Sequence, residues 1–339
     1  MGRRRAAVHC GLWGCKVSEG GYLVPTGRFS PMRYPGGKGK LASFVGAIVR
    51  ANGLVDGRYV EPYAGGASVA WELLLTGLVR RVEINDISKP IFAFWSSVLN
   101  ETEALCRLIH DCTIDVATWD RCKSAFHRAD LDDLLGLGFA TFFLNRTNRS
   151  GILNGGIIGG RDQTGPWKID ARFNKAELIG RIQRIAIMRS RIRLTNLDAV
   201  EFLRSRAGDW NSKTLVYLDP PYFLKGGQLY FNSYGPDDHD DVAGSVRSLL
   251  QSTHWIVSYD DVEPIRGLYR NERALFYSIG YSARTRGQGT EAMFFSSGLT
   301  VPPVSGSMVE LSRRDAEPDN DDGTLSTPRK NPRCRTRQL

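Results

Sequence analysis

Residues 58–86 have the sequence RYVEPYAGGASVAWELLLTGLVRRVEIND. Two stretches, residues 58–61 and 79–84, predict short strands that each end in a polar or glycine-rich turn. The residues between them carry Val69, Leu73 and Leu74 on one helical face and predict a helix. With a further helix expected over residues 87–99, the strand–helix alternation is typical of a parallel sheet with helices on both faces.

The chain on either side extends this pattern. Behind the glycine-rich run of residues 34–39, apolar residues at helical spacing predict a helix that begins near Lys38. Strands are predicted again over residues 192–195, 215–218, 255–258, 275–277 and 293–295. Between residues 100 and 190 the strand signal lapses, and helical periods flank a polar loop over residues 145–167. We therefore expect one α/β nucleotide-binding core, residues 31–99 and 191–300, interrupted by a mainly helical recognition insertion, residues 100–190.

Composition is ordinary for a globular protein, but the charge is uneven. Hydrophobic residues make up 42% and charged residues 24% of the 339 residues, which excludes a mostly disordered chain. No apolar run approaches the roughly 18 residues that would cross a bilayer, so we expect no membrane partner. The formal net charge of +9 suggests a polyanionic partner. Residues 141–195 hold eleven basic and three acidic residues, so bound nucleic-acid phosphates are expected there.

The two ends and the cysteines predict little chemistry. Residues 1–30 have an arginine cluster without the apolar core of a signal peptide, and residues 301–339 lack apolar periodicity, so both are expected to be disordered. The six cysteines show no CxxC pair and no histidine at metal spacing. We expect reduced thiols, no metal and a cytoplasmic protein.

The first candidate catalytic motif is Asp219-Pro220-Pro221-Tyr222, directly after an apolar run. It should lie at the carboxyl end of a strand, where open α/β sheets bind ligands. The prolines offer no backbone donors and fix φ, so the Asp219 carboxylate and the Pro220 carbonyl form an acceptor pair suited to an exocyclic amino group. Tyr222 offers a ring on which a planar base can stack. The alternative is an ordinary strand-ending turn.

A second region is a candidate cofactor-binding site. Glu61 begins the run of residues 61–67, whose glycines, Gly65 among them, allow a ligand close to the backbone at a helix N-terminus. The run is not GxGxxG, which disfavours a nicotinamide cofactor. Asp86 follows the next strand, where such folds place an acid for a ribose diol. Asp198 could contact the cofactor's adenine, and a helix N-cap is the alternative for each acid.

The insertion supplies candidate DNA-binding residues. Arginines and asparagines, the residue types that bind guanine and adenine edges, alternate in its loop. We expect DNA contact from Asn145, Arg146, Asn148 and Arg149, with a solvated loop as the alternative.

Together these motifs resemble the Dam-type, alpha-class adenine-specific DNA methyltransferases. The resemblance extends over about residues 31–300. It depends on the order of five motifs: YPGGK (34–38), EPYAGGA (61–67), ND (85–86), NRTNRSG (145–151) and DPPY (219–222). It implies a Rossmann-like methyltransferase core with S-adenosylmethionine as methyl donor and a target-recognition insertion. Tyr34 matches the family's aromatic position, Lys38 the motif lysine near the methionine part of the cofactor, and Asp86 and Asp219 the acids beside it. The family's glycine motif often ends in Gly where this chain has Ala67.

The resemblance implies methyl transfer to the exocyclic N6 of an adenine flipped out of double-stranded DNA. The loop at residues 145–151 differs from the version in GATC-specific members, so the target sequence stays open, as does a cognate restriction endonuclease. RNA adenine methylation shares the chemistry and remains an alternative, as does a catalytically inactive DNA-binding relative. Protein glutamine methylation is disfavoured, because its motif begins with Asn.

Overall fold

The computed structural model describes residues 15–17, 23–25, 29–33, 38–223, 234–279, 290–304 and 308–311. In these ranges the strands are β1 (Cys15–Val17), β2 (Leu23–Pro25), β3 (Gly57–Glu61), β4 (Val79–Asn85), β5 (Ile192–Thr195), β6 (Thr214–Leu218), β7 (His254–Asp260), β8 (Arg273–Ile279), β9 (Glu291–Phe295) and β10 (Met308–Glu310). The α-helices are α1 (Ala42–Ala51), α2 (Ser68–Leu75), α3 (Lys89–Asn100), α4 (Thr102–Asp111), α5 (Val116–Arg128), α6 (Leu134–Thr147), α7 (Lys175–Ile187), α8 (Ala199–Arg206), α9 (Pro236–Leu249) and α10 (Glu263–Leu268).

Eight strands form one mixed sheet in the order β10-β8-β9-β7-β6-β3-β4-β5. The five strands from β5 to β7 are parallel. The chain order reverses between β3 and β6, because β4 and β5 lie on one side of β3 while β6 and β7 lie on the other. Such a reversal leaves a crevice at the carboxyl ends of the two central strands, where open α/β sheets bind their ligands. The predicted Rossmann-like α/β fold is confirmed.

The other half of the sheet is antiparallel, which the sequence did not predict. β9 pairs antiparallel with both β7 and β8, and β10 pairs antiparallel with β8. The connection from β8 to β9, residues 280–290, is shorter than the dozen or so residues that a parallel crossover needs. The short connection therefore accounts for the change of direction.

Both faces of the central strands are buried, and alternate residues of a strand belong to different cores. In β6, Leu215 and Tyr217 belong to a hydrophobic cluster that also contains residues of α1 to α7. Val216 and Leu218 point to the opposite face and pack with residues of α8, α9 and α10. Burial on both faces explains why this strand is continuously apolar.

The helical insertion shares the core of the sheet. Phe126 of α5 and Ile182 of α7 belong to the same hydrophobic cluster as Val82 and Ile84 of β4. Residues 100–190 therefore do not form a separate domain with its own core.

Helix α6 lies especially close to α3. The rings of Phe94 and Phe142 stack with centroids 5.6 Å apart and an interplanar angle of 8°. A Cβ atom on Gly138 would lie only 2.7 Å from the carbonyl oxygen of Ala93. The glycine is thus required by the approach of the two helices.

The predicted domain boundaries at residues 30 and 301 need correction. Phe29 and Ser30 are buried, and Ser30 Oγ donates to the carbonyl oxygen of Gly66 at 2.6 Å. Val301 packs against the core, and β10 extends the sheet beyond residue 301. Within the N-terminal extension, β1 and β2 pair antiparallel, contrary to expected disorder. The remaining parts of both ends lie outside the described residues.

No helix within the described ranges is long and apolar enough to cross a membrane.

Candidate active site

The crevice between β3 and β6 brings together two of the predicted site residues, Glu61 and Asp219. Glu61 ends β3 and Asp219 directly follows β6, and these two strands are neighbours in the sheet. A cleft at this edge is lined by Gly39, Glu61, Tyr63, Ala64, Gly66, Ala67, Ser68, Val69, Tyr217 and Asp219. The acid after β6, the glycine-rich run after β3 and the 3-10 turn Lys38–Lys40 therefore meet at one place.

Asp219 is oriented by a chain of hydroxyl groups. Ser258 Oγ donates to Asp219 Oδ1 at 2.7 Å. Because that hydroxyl has a single proton, the 2.9 Å contact between Tyr217 and Ser258 is donated by Tyr217. Ser258 follows the parallel pairing of β6 and β7, so it lies beside Asp219 at the same edge. The carboxylate is held in one orientation before any substrate binds.

The rest of the motif is supported from the antiparallel strands. Pro220 and Pro221 are buried, whereas Tyr222 is partly exposed. The Tyr222 hydroxyl donates to Glu291 Oε1 at 3.0 Å, and the Tyr277 hydroxyl donates to Glu291 Oε2 at 2.8 Å. These contacts fix the far end of the Tyr222 ring.

The backbone after Tyr222 is held as well. The amide of Phe223 donates to Asp260 Oδ1 at 2.8 Å. Asp260 ends β7, so the segment that follows the motif is tied to the same edge of the sheet.

The glycine-rich run makes a tight turn against Asp86. Gly65 has φ of +47°, and Ala67 has φ of +46°, a left-handed conformation that disfavours a side chain. Asp86 accepts from the Gly65 amide at 2.8 Å and from the Ser88 amide at 2.9 Å. Burial raises the pKa of Asp86 to about 6, against the opposing effect of these two hydrogen bonds.

Glu61 is a buried acid beneath the cleft. Its Oε1 accepts from the Tyr59 hydroxyl at 2.9 Å and from the Ala70 amide of α2 at 3.2 Å. Burial raises the pKa of Glu61 to about 8, with a smaller contribution from the nearby negative charge of Asp219. Glu61 therefore ties β3 to α2 beneath the cleft.

The structure assigns other candidates differently. Asp198 caps α8, accepting from the amides of Val200 at 2.8 Å and Glu201 at 3.3 Å, as its alternative interpretation predicted. Lys38 begins a 3-10 turn, Lys38–Lys40, just before α1. Tyr34 lies outside the described residues. Within the described ranges no group of three or more His, Cys, Asp or Glu residues is placed to hold a metal ion.

Two of the four predicted DNA-binding residues are buried. Asn145 accepts from the amide of Arg33 at 2.7 Å and donates to the carbonyl oxygens of Arg33 and Gly151. Asn148 accepts from Trp119 Nε1 at 2.7 Å and donates to two carbonyl oxygens of residues 152 and 153. Their prediction as base-contacting residues is wrong, because these amides are used within the fold. Asn145 also lies inside α6 and not in a loop.

The two arginines of that prediction remain near the surface. Arg149 is exposed, and Arg146 is partly exposed with its guanidinium donating to the carbonyl oxygen of Arg172. These side chains retain donors that a ligand could use.

Several supporting residues were not found from the sequence. Ser258, Asp260 and Glu291 surround the motif, although they lie far from it along the chain. One signal was present, since β7 is apolar until polar residues appear at its carboxyl end, next to the predicted motif. Glu291 gave no such signal, because it depends on the antiparallel direction of β9.

The strand order and the cleft at the switch point define a Rossmann-like α/β core. More particularly, residues 34–127 match the family model described as D12 class N6 adenine-specific DNA methyltransferase, which confirms the resemblance inferred from the motifs. The match includes Glu61, Gly65 and Asp86 and ends before residues 145–151 and 219–222.

Other comparisons are more remote. No curated protein matches the chain. A SAM-dependent methyltransferase from Agrobacterium tumefaciens has 10% identity and a TM-score of 0.34, over 76% of this chain and 61% of that chain. The rRNA methyltransferase aviRa from Streptomyces viridochromogenes has 13% identity and a TM-score of 0.32, over 77% of this chain and 85% of that chain. Likenesses this weak do not bear on the activity.

Proposed function

We propose that this protein transfers a methyl group from S-adenosylmethionine to the exocyclic N6 of an adenine in DNA. The observation that carries the proposal is the position of Asp219. Its carboxylate, oriented by Ser258, stands at the switch-point crevice directly opposite the glycine-rich run after β3. An acceptor pair for an amino group and a cradle for a nucleoside cofactor thus share one cleft.

The residues of the cleft fit S-adenosylmethionine. The turn at Gly65 and Gly66 brings backbone close to the cleft without a Cβ in the way. Asp86 uses each carboxylate oxygen once, toward Gly65 and Ser88, and each oxygen keeps a lone pair that can accept from a ribose hydroxyl. The cofactor, when bound, supplies a sulfonium methyl group as electrophile.

Asp219 and Pro220 activate the acceptor nitrogen. The lone pair of an adenine amino group is delocalised into the ring, so the nitrogen is a weak nucleophile. When the Asp219 carboxylate and the Pro220 carbonyl accept hydrogen bonds from the two N–H groups, electron density shifts toward the nitrogen. The same contacts stabilise the positive charge that develops there. With the cofactor bound, methyl transfer to the nitrogen would leave S-adenosylhomocysteine as the other product. The Asp219 carboxylate would then take up the N–H proton that the nitrogen loses and pass it to solvent.

Tyr222 provides the surface that receives the base. An adenine inside a duplex cannot reach a carboxylate at the rim of a cleft, so it must be flipped out of the helix. The Tyr222 ring, anchored through its hydroxyl by Glu291, is available for stacking on the flipped base.

DNA is favoured as substrate by the family description matched by residues 34–127. The excess of eight positive charges over residues 141–195 supports a polyanionic substrate but does not distinguish DNA from RNA. RNA adenine methylation is therefore the competing hypothesis. An inactive relative is disfavoured because Asp219, Asp86 and the oriented motif are all present.

The reaction product tests the proposal. The purified protein is incubated with S-adenosylmethionine and, separately, unmethylated duplex DNA or unmodified RNA, and the hydrolysed nucleosides are analysed by mass spectrometry. We expect N6-methyldeoxyadenosine from DNA. Formation of N6-methyladenosine from RNA alone would show that the substrate is RNA. Formation of methylated cytosine would show that the acceptor base is not adenine, and either result would contradict the proposed function.

Cofactor choice is tested without turnover. A ligand at one hundred times its dissociation constant stabilises the folded state by about 2.7 kcal/mol. S-adenosylhomocysteine is therefore expected to raise the melting temperature by several degrees, whereas NAD should not. Stabilisation by NAD alone would show that the cleft binds another cofactor.

A further inference from the structure

Four arginines from distant parts of the chain meet on the surface of the insertion. The arginine cluster consists of Arg33, Arg146, Arg172 and Arg181. Arg146 Nε donates to the carbonyl oxygen of Arg172 at 2.7 Å, and Arg33 Nη1 donates to the carbonyl oxygen of Asn148 at 3.1 Å. Arg181 Nη1 donates to the carbonyl oxygen of Ser30 at 2.9 Å. Backbone carbonyls thus hold three of the guanidinium groups in place, those of Arg33, Arg146 and Arg181, whereas that of Arg172 lies beside the Trp167 ring.

The positive charge of this cluster is poorly neutralised. Among the described residues only Glu177 forms an ion pair with it, through Arg181. Burial and the neighbouring charges of Arg33, Arg181 and Arg172 lower the pKa of Arg146 to about 9. Burial and the charge of Arg172 also lower the pKa of Arg33. Several like charges held together on a surface are unfavourable alone and become favourable when an anion binds.

The cluster adjoins the chain that leads into the cleft. Arg33 directly precedes residues 34–37, and its backbone amide and carbonyl are both bonded to the Asn145 side chain. Ser30, which accepts from Arg181 through its carbonyl, also donates to Gly66 of the cleft through its hydroxyl. A ligand on the cluster would therefore lie on the side of the molecule where the glycine-rich run lies.

An exposed aromatic side chain lies at the edge of the cluster. Trp167 is 64% exposed, and the guanidinium carbon of Arg172 is 5.8 Å from its ring centroid. A large ring beside cations is the combination with which proteins contact nucleic acid, since the cations bind phosphates and the ring stacks on a base. A small free anion would make no use of Trp167.

We propose that Arg33, Arg146 and Arg172 form a binding site for a backbone phosphate of the DNA beside the flipped adenine. This inference rests on the proposed function and names where its substrate is held. Guanidinium groups suit the site because their planar donors match phosphate oxygens. The hydrogen bonds of Arg33 and Arg146 to backbone carbonyls reduce the side-chain entropy that these two residues lose on binding. Trp167 stacks on or beside a base next to that phosphate.

Salt-dependent binding tests the proposal. The full chain is titrated against a fluorescent DNA duplex, and against an RNA hairpin, over a series of salt concentrations. Loss of one phosphate contact reduces the slope of log K against log salt by about one. We expect this reduction with DNA for Arg172→Ala and for Arg146→Ala, whereas Arg172→Lys should retain the slope.

Arg128→Ala is the matched control. Arg128 is an exposed arginine at the end of α5 that makes no hydrogen bond or ion pair within the described part of the chain. Its removal should leave the slope unchanged. Thermal unfolding of each variant separates loss of the fold from loss of the contact, and the exposed Arg172 remains informative if the more buried Arg146 cannot be replaced.

The outcomes separate this inference from the proposed function. If the wild type methylates DNA but both alanine variants keep its slope, the phosphate site is wrong and the function stands. If the slopes fall as expected but no N6-methyladenine forms, the site stands and the function is wrong. Reduced slopes with RNA alone, or no binding to either nucleic acid, would overturn DNA as the occupant.

Discussion

Asp219 shows how a surface carboxylate acquires a fixed direction. The strand β6 places it at the edge of the sheet, and Ser258 and Tyr217 then orient it through successive hydroxyl groups. Preorganised acceptors cost no reorganisation when charge develops in the transition state. The same edge holds two further acids, Glu61 and Asp86, whose pKa values are raised by burial.

Glu61 should make stability depend on pH. Its pKa is about 8 in the folded chain against an ordinary value of 4.5, so the folded state binds this proton more tightly than the unfolded state. The free energy of unfolding should therefore be greatest below about pH 4.5 and fall as the pH rises through about 8. Glu61→Gln keeps the shape without the charge and should reduce this decline, as measured by urea unfolding at several pH values.

The wild type carries other titrating groups, among them Asp86, so the comparison is the difference between the two proteins. Both should have similar stability in mild acid, and Glu61→Gln should be the more stable above about pH 8. Parallel pH profiles of the two proteins would show that Glu61 is charged in the folded state.

Tyr222 should act through its ring more than through its hydroxyl. Base stacking on an aromatic side chain contributes about 1 to 3 kcal/mol, whereas one hydrogen bond contributes about 1 kcal/mol. Tyr222→Ala should therefore raise KM for DNA by about tenfold or more, and Tyr222→Phe should change it only a few fold. Steady-state methyl transfer measures both. Equal defects in the two variants would assign the role to the contact with Glu291 instead.

At the scale of elements, close packing of α3 and α6 joins the insertion to the sheet. Gly138 permits this approach, since a Cβ atom there would lie 2.5 Å from Ser97 Oγ and 2.7 Å from the Ala93 carbonyl oxygen. The helix containing Asn145 and Arg146 is positioned by this contact. Anything that separates the two helices should move the arginine cluster as well.

Gly138→Ala should destabilise the protein by about 1 to 3 kcal/mol, because the added methyl group overpacks a helix interface. The same substitution at Gly244 in α9 is the control, since no atom lies within 4 Å of the added Cβ. Gly244→Ala should stabilise by about 0.5 to 1 kcal/mol, because alanine is the better helix former. Urea unfolding compares them, and a neutral Gly138→Ala would show that α6 can move away from α3.

The elements were largely predictable from local patterns, and their long-range contacts were not. Strands β3, β4 and β6 could be placed because each is a short stretch with strand-forming residues that ends in a polar or glycine-rich turn, and Glu61, Asp86 and Asp219 follow from those ends. Asn145 and Asn148 were misassigned because an asparagine amide suits a base edge and a backbone carbonyl equally well. Only the fold shows that Arg33, 112 residues away, occupies the Asn145 amide.

At the scale of the whole molecule, the insertion and the sheet share one hydrophobic cluster. Predicted boundaries at residues 100 and 190 followed the change of periodicity, which marks secondary structure and carries no information on which faces pack together. The consequence is functional: the arginine cluster on the insertion and the cleft at the sheet edge are joined by packed helices and by the chain around Arg33.

The assignment of the reaction to the switch-point cleft is tested by measuring methyl transfer to DNA. The measurement compares Asp219→Ala with the wild type and with a control variant, Asp115→Ala. Asp115 caps α5 in the insertion through a 2.7 Å hydrogen bond from the Thr118 amide, so its removal should cost about 1 kcal/mol of stability and leave transfer intact. Incorporation of labelled methyl into N6-methyladenine should fall at least about 100-fold in Asp219→Ala, with an unchanged fold. Retention of a tenth or more of wild-type transfer by Asp219→Ala would contradict the mechanism.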